Sequence, residues 1–401
     1  MKVLQINIFG NLSTGRIAVD IHRTLVAAGH NGLFAFARND TAQDIPHIRI
    51  GTKWDVLCHV IMTRITDKTG FYSTRATKRL IKTITEYKPD IIHLHNIHGY
   101  YLNIEVLFNY LKSTNIPVVW TLHDCWSYTG HCCYYSMAGC NKWKTQCCNC
   151  PQKGAYPSSK LIDNSEWNYK KKKELFSGVN MTLVAVSNWL ASEVKKSFLS
   201  NYPLEVIYNG IDLDVFKPTK SDFRKQYNLE DKKIILGVAS TWDKRKGLND
   251  FIELSKMLDD QYKIVVVGVT DKEISRLPQN IIGIKRTNNV KELAGLYSTA
   301  NVYFNASVEE TFGLPTVEAM ACGTPSIVYN ATALPELIEL GCGKVVGIHD
   351  LSAVKSWIEN FERETSARQC ISTAKKYSKE FQYKKYIDLY EKILKQKRPI
   401  L

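Results

Sequence analysis

Short apolar runs alternate with helix-period stretches along this chain, and that alternation constrains the fold more than any other feature. Val3-Leu4-Gln5-Ile6-Asn7-Ile8 reads as a buried strand. The loop FGNLSTG follows, then a helix from about Arg16 to Ala28, closed by Gly29, and then a strand over 33–37. Further strands are predicted over 91–95, 117–122, 182–187, 234–239, 262–268 and 280–287. Strand, loop, helix and strand in that order make a parallel α/β sheet. With 401 residues there is room for two or three domains. The apolar runs fall short of the ~18 residues that span a bilayer. MKVLQINIFG has too short an apolar core for a signal peptide, so the expected location is cytoplasmic.

The most informative loop–helix junction runs from Val308 to Pro325, VEETFGLPTVEAMACGTP. Pro315 suits the first helical position, where its missing N–H costs nothing. Gly323 with Pro325 marks the stop. Glu310 then falls on the loop and Glu318 near the first turn. The N–H groups of the helix start, around Gly313 and Leu314, make a seat for a phosphate. Carboxylates repel phosphates, so Glu310 and Glu318 are expected to face hydroxyls. A diphosphate flanked by a sugar and a ribose meets both demands, which describes a nucleotide sugar. Another strand end carries Arg245-Lys246-Gly247, with cations suited to a leaving diphosphate. After Ile91-Ile92-His93-Leu94, the residues His95, Asn96 and His98 lie where α/β sheets bind ligands, while His93 reads as a core histidine. Gly10–Gly15 has P-loop-like spacing. Arg16-Ile17 stand where such a loop needs Lys and Ser/Thr, which argues against nucleotide hydrolysis.

Glu310-x7-Glu318 inside EETFGLPTVEAMACGTP resembles the signature of the retaining glycosyltransferases of family 4. The resemblance spans nearly the whole chain and is strongest over 89–151, 206–218 and 236–325. It implies the α/β GT-B fold, two Rossmann-like domains facing across a cleft. The acceptor domain is expected at 1–207, the nucleotide-sugar domain at 208–378, and a C-terminal helix at 379–401 that crosses back onto the first domain. The implied reaction moves a hexose from a UDP- or GDP-sugar donor to a hydroxyl of a lipid-linked saccharide acceptor, with retention, in bacterial polysaccharide biosynthesis. By this resemblance His123, Lys246 and Glu310 are catalytic: His123 and Glu310 hold the sugar and Lys246 meets the leaving phosphate. Gly15 approaches the diphosphate with Arg16 beside it. Arg245, Gly313 and Leu314 complete the phosphate side, and Thr311 and Phe312 are further substrate-binding residues. Glu318 holds the ribose, and Thr287 ends beside the base. Ser240 stands where the family usually has an arginine, so Arg245 or Arg16 supplies the second charge. A GT-B nucleotide-sugar epimerase and a non-catalytic sugar-nucleotide-binding subunit stay open as alternatives.

The net charge of +14 favours an anionic partner: a nucleotide diphosphate, a lipid diphosphate, or the inner face of the plasma membrane as a peripheral contact. No nucleic-acid motif is present, so nucleic acid is not an expected partner. Residues 41–90 are helical and basic without clear chemistry, and Lys170–Lys173 reads as a solvated helix face. Asp212-Leu213-Asp214 lies in the linker, and no catalytic metal is expected. Seven of the eleven cysteines crowd into 125–150. In a reducing compartment that argues for metal before disulfides. Cys147 and Cys150 form a Cys-x2-Cys knuckle, and Cys132 with Cys140 can complete a tetrahedral structural zinc site; reduced cysteines or disulfides are the alternatives. The colanic-acid and capsule subgroup of family 4 resembles this chain in the same insert, 125–151. Tyr383, Ile387, Tyr390 and Leu394 share one helical face, which should dock.

Overall fold

Two parallel sheets carry the chain. The first contains β1 (Lys2–Phe9), β2 (Asn31–Arg38), β3 (His47–Arg49), β4 (Ile91–Leu94), β5 (Val118–Leu122), β6 (Met181–Ala185) and β7 (Leu204–Val206), in the order β3-β2-β1-β4-β5-β6-β7. The second contains β8 (Lys233–Val238), β9 (Tyr262–Val267), β10 (Ile281–Ile284), β11 (Val302–Asn305), β12 (Ser326–Tyr329) and β13 (Gly343–Val346), in the order β10-β9-β8-β11-β12-β13. The computed structural model of the chain describes residues 1–361 and 363–397. It divides into one unit of Met1–Tyr208 plus the chain from Gln382, and a second of Asn209–Phe381.

Helices cover both faces of such sheets, so their strands are apolar throughout instead of alternating. VVWTL of β5 and VYFN of β11 are buried at every position. In each sheet the strand order reverses once, between β1 and β4 in the first and between β8 and β11 in the second. Beyond the carboxyl ends of strands at such a reversal lies the crevice where doubly wound sheets bind ligands. The loops that meet there are Gly10–Ser13 and His95–Leu102 in the first unit, and Ala239–Gly247 and Ala306–Gly313 in the second.

The helix Lys379–Lys397 begins in the second unit and returns to the first. Its buried face is Tyr383, Ile387 and Tyr390, three of the four residues expected to dock, and Leu394 is half-buried. Thr121 donates to Tyr386 Oη at 3.1 Å, and His93 joins Thr121 at 2.8 Å and Tyr390 Oη at 2.6 Å. His93 is thus the core histidine its strand position suggests. Residues 398–401 of the expected C-terminal segment lie outside the described residues.

One expectation fails here. The Lys170–Lys173 run is not a fully solvated face. Lys170 pairs with Glu166 and Lys171 with Glu105, but Lys172 is buried, donating to the Trp126 carbonyl at 2.5 Å with its ammonium 3.8 Å above the Trp126 ring. A charge run on the helix Ser165–Phe176 hides this because every third or fourth position turns inward. The helix start before Glu318 lies where expected, to within one residue. It begins at Leu314, with Pro315 second, so Glu318 sits in the second turn.

Candidate active site

In the second unit, β8 runs into Trp242 and the short turn Lys244–Lys246, which ends at Gly247 with φ +73°. A Cβ on Gly247 would lie 2.3 Å from the carbonyl oxygen of Ala306, so only glycine lets the loops after β8 and β11 touch. That contact brings Arg245 and Lys246 to Glu310. Lys246 makes a short ion pair with Glu310 Oε1, and Ser307 donates to the same oxygen at 3.4 Å. Arg245 donates to the Glu309 carbonyl at 2.9 Å, while its own carbonyl accepts from Val308 N–H at 3.0 Å. Burial alone would raise the Glu310 carboxyl. The charges of Lys246 and Arg245, with hydrogen bonds from Lys246 and Ser307, outweigh it and hold Glu310 below the usual carboxylate range.

Glu310 is also fixed through its backbone. Thr332, at φ +48°, accepts from Glu310 N–H at 2.8 Å and donates to the Glu310 carbonyl at 2.7 Å. Gly313, at φ +102°, caps the helix Leu314–Ala321, and a Cβ there would meet Leu334 at 2.7 Å. Thr311 and Phe312 are buried, and Phe312 packs edge-on to Tyr377 with ring centroids 5.7 Å apart. With the Phe312 ring packed inward, the main chain of this turn is what Phe312 can offer a ligand. Glu318 is buried and accepts from Tyr297 Oη at 3.0 Å. Thr287 is half-buried in the loop after β10, at the sheet edge.

In the first unit, Gly15 packs the helix Thr14–Ala27 against the end of β1, where a Cβ would lie 2.5 Å from the Phe9 carbonyl oxygen. Arg16 beside it is exposed. His123 follows β5 and joins a chain of bonds that runs through the sheet. The Gln5 amide donates to the Ala18 carbonyl at 3.1 Å, so its Oε1 accepts from His95 Nε2–H at 3.0 Å. His95 Nδ1 is then an acceptor and takes Nε2–H of His123 at 3.1 Å. This sets His123 as the Nε2–H tautomer with Nδ1 an acceptor. Burial pushes His123 down to about 4 and His95 well below its ordinary value, so both are neutral near pH 7. His95 was expected to reach the acceptor from a loop; it is fully buried and uses both ring nitrogens on Gln5 and His123. Asn96 is half-buried, with its N–H on Asn7 Oδ1 at 3.3 Å. His98 bonds Asp124 at 2.7 Å and Tyr156 Oη at 3.3 Å.

Cys132 and Cys150 come within hydrogen-bond reach, and Cys147 lies close enough to Cys132, Cys140 and Cys150 to feel their charge. Gly130 N–H donates to Cys147 Sγ at 3.2 Å. Among the described residues, the group whose ligand atoms all come within 4.8 Å of one another is a different one: His98, Asp124 and Cys133. Asp212 accepts from Lys379 at 2.5 Å and from Asp214 N–H at 3.0 Å.

A family model described as Glycosyltransferase Family 4 matches residues 14–215, half of the chain. The chain belongs to glycosyltransferase family 4. A second model, Glycosyl transferases group 1, matches residues 219–377. This family 4 chain is 23% identical over 364 residues to a protein of Escherichia coli K12 named as a colanic acid biosynthesis glycosyl transferase, WcaC, covering 86% of this chain and 87% of that one. Its fold matches sucrose-phosphate synthase from Thermosynechococcus elongatus with a TM-score of 0.75 at 16% identity, over 99% of this chain and 100% of the other. It also matches Anabaena HepE, solved with UDP and glucose, with a TM-score of 0.69 at 17% identity, again over 99% and 100%. The fold is therefore GT-B, and the chain is a glycosyltransferase.

Sequence reasoning on this family 4 chain missed Gln5, Asn7, Ser307 and Thr332. Gln5 and Asn7 carried a signal, since two polar residues two apart in an apolar parallel strand share one face. Asn7 accepts from Thr14 Oγ1 at 3.1 Å and from Asn96 N–H, tying the loops after β1 and β4 together. Thr332 gave none, because its hold on Glu310 spans 22 residues and depends on the fold.

Proposed function

We propose that this glycosyltransferase moves a hexose from a UDP- or GDP-sugar to a hydroxyl of a lipid-linked saccharide, with retention, in bacterial polysaccharide synthesis. The observation that carries this reading is the Lys246–Glu310 ion pair beside Arg245, at the strand-order reversal of the second sheet and ahead of the Gly313-capped helix. Departure of a nucleotide diphosphate builds negative charge. An ammonium, a guanidinium and helix N–H groups are suited to meet it. An ammonium has three donors, so Lys246 can keep Glu310 and still reach a phosphate oxygen. Glu310, held ionised, accepts from hydroxyls of the sugar, and Glu318 from the ribose. The bond from the anomeric carbon to the leaving oxygen breaks, the acceptor oxygen adds on the same face, and a diphosphate oxygen takes its proton. His123, neutral with Nδ1 an acceptor, suits a sugar hydroxyl.

The names of the relatives support the pathway, and the UDP bound to HepE supports a uridine donor. The reading includes a structural Zn²⁺ on Cys132, Cys140, Cys147 and Cys150, four thiols of the chemistry tetrahedral zinc takes, which would pin the insert in one shape. The test of function is nucleotide release from a panel of UDP- and GDP-sugars. One donor should turn over, with EDTA present, and Lys246→Ala should lower that turnover by roughly 10²–10³. No turnover of any donor, or full activity in the variant, would contradict the reading. A free altered sugar formed without acceptor would favour the epimerase.

A further inference from the structure

The helix Lys53–Thr66 is inside out. Its buried positions are His59 and Thr63, both polar. His59 Nδ1–H donates to Ser73 Oγ at 2.9 Å, and His59 Nε2 accepts from Gly70 N–H at 3.2 Å. Its apolar side chains point the other way. Trp54, Leu57, Ile61 and Ile65 recur at intervals of three and four, which puts them on one face. All four are exposed, Trp54 by 74%. The stripe does not stop at the helix end. Lys160 N–H donates to the Arg64 carbonyl at 2.8 Å and Ile162 N–H to the Ile65 carbonyl at 3.2 Å. These bonds set Leu161, 68% exposed, and Ile162, also exposed, against the last turn. A contiguous exposed apolar patch of this kind marks a docking surface.

The charges around it say what docks. Lys53, Arg64 and Lys160 are exposed at its rim, and the next helix, Thr74–Tyr87, exposes Arg75, Lys78, Arg79 and Lys82. The stripe-bearing helix has one acid, Asp55, which accepts from the Thr52 N–H at 2.8 Å and pairs with Arg79 at 3.5 Å. An apolar ridge with a cationic margin, on a chain of net charge +14, matches the apolar–anionic boundary of a phospholipid surface.

We propose that the helix Lys53–Thr66, with Leu161 and Ile162, docks the first unit onto an anionic bilayer, inserting Trp54, Leu57, Ile61 and Ile65 at headgroup level. The inference deepens the proposed use of a lipid-linked acceptor by naming the surface that meets the lipid.

The test is co-sedimentation of the full chain with phosphatidylcholine vesicles containing roughly 30% phosphatidylglycerol. The parent should bind. The double variant Trp54→Ser with Ile61→Ser should partition about tenfold less, because it removes insertable apolar surface. Lys53→Glu with Arg64→Glu should weaken binding to the anionic vesicles and not to neutral ones. Sugar-nucleotide turnover and the thermal midpoint should be unchanged in both variants, since the substituted residues are exposed. A parent that leaves anionic vesicles unbound overturns the proposal. So does a Trp54/Ile61 variant that binds as well as the parent, or a parent dimer that this variant dissociates. A parent that binds vesicles through these residues but turns over no donor supports this surface and contradicts the proposed function.

Discussion

Gln5 lies deep in β1 and reaches His123 only through His95, yet it sets which nitrogen of His123 carries the proton. Its amide is oriented by Ala18, and the order then passes through His95. Gln5→Leu removes the acceptor and leaves His95 Nε2–H buried without a partner. The expected cost in stability is about 1–3 kcal/mol. Turnover should fall while nucleotide binding holds, because the nucleotide is assigned to the second unit. Gln5→Glu, which keeps an acceptor, should rescue turnover in part. Equal turnover in the parent and Gln5→Leu would detach this chain of bonds from catalysis. None of this could be read from sequence beyond the hint of two polar residues on one strand face, since the partners lie 13 and 90 residues away.

Elements were more legible than contacts. Strands of a parallel sheet are buried on both faces, so the run over 117–122 announced itself as a nearly continuous apolar stretch, and Val3–Ile8 did so despite Gln5 and Asn7. Gly313 and Gly323 bracket the helix Leu314–Ala321 because each adopts positive φ, and both marked the boundaries in the sequence. The basic segment over 41–90 stayed silent for the opposite reason. Its helix Lys53–Thr66 turns apolar residues to solvent, which a reading that assumes apolar-inward burial cannot see. The cysteine insert was legible as a cluster, with Cys132, Cys140, Cys147 and Cys150 as its candidate ligands. One Zn²⁺ per chain is expected on Cys132, Cys140, Cys147 and Cys150, measured by elemental analysis of protein purified without added metal. Cys147→Ser should lose it. Zinc retained in Cys147→Ser but lost in Cys133→Ser would move the ion to His98, Asp124 and Cys133.

At the scale of the molecule, buried histidines tie stability to pH. His59 and His93 are pushed down to about 3, and His123 to about 4, chiefly by burial, from an ordinary value of 6.5. Unfolded, these rings take up protons as pH falls below 6.5; folded, they stay neutral until much lower pH. At these three sites the unfolded state then binds more protons, so their contribution to stability falls from pH 6.5 downward. At pH 5 the loss from His123 alone is about 2 kcal/mol. Urea midpoints at pH 7.5 and pH 5 should differ clearly, and equal midpoints would contradict the burial of these rings as neutral species. Whether the loop and helix from Glu310 to Glu318 hold the donor nucleotide can be read from calorimetric titration of UDP and GDP into three proteins. The parent should bind one of the two. Glu318→Ala should bind it at least about tenfold more weakly, having lost a hydrogen bond from a charged acceptor, while Glu310→Ala should bind it nearly as well as the parent. Equal affinity in all three proteins would contradict the account.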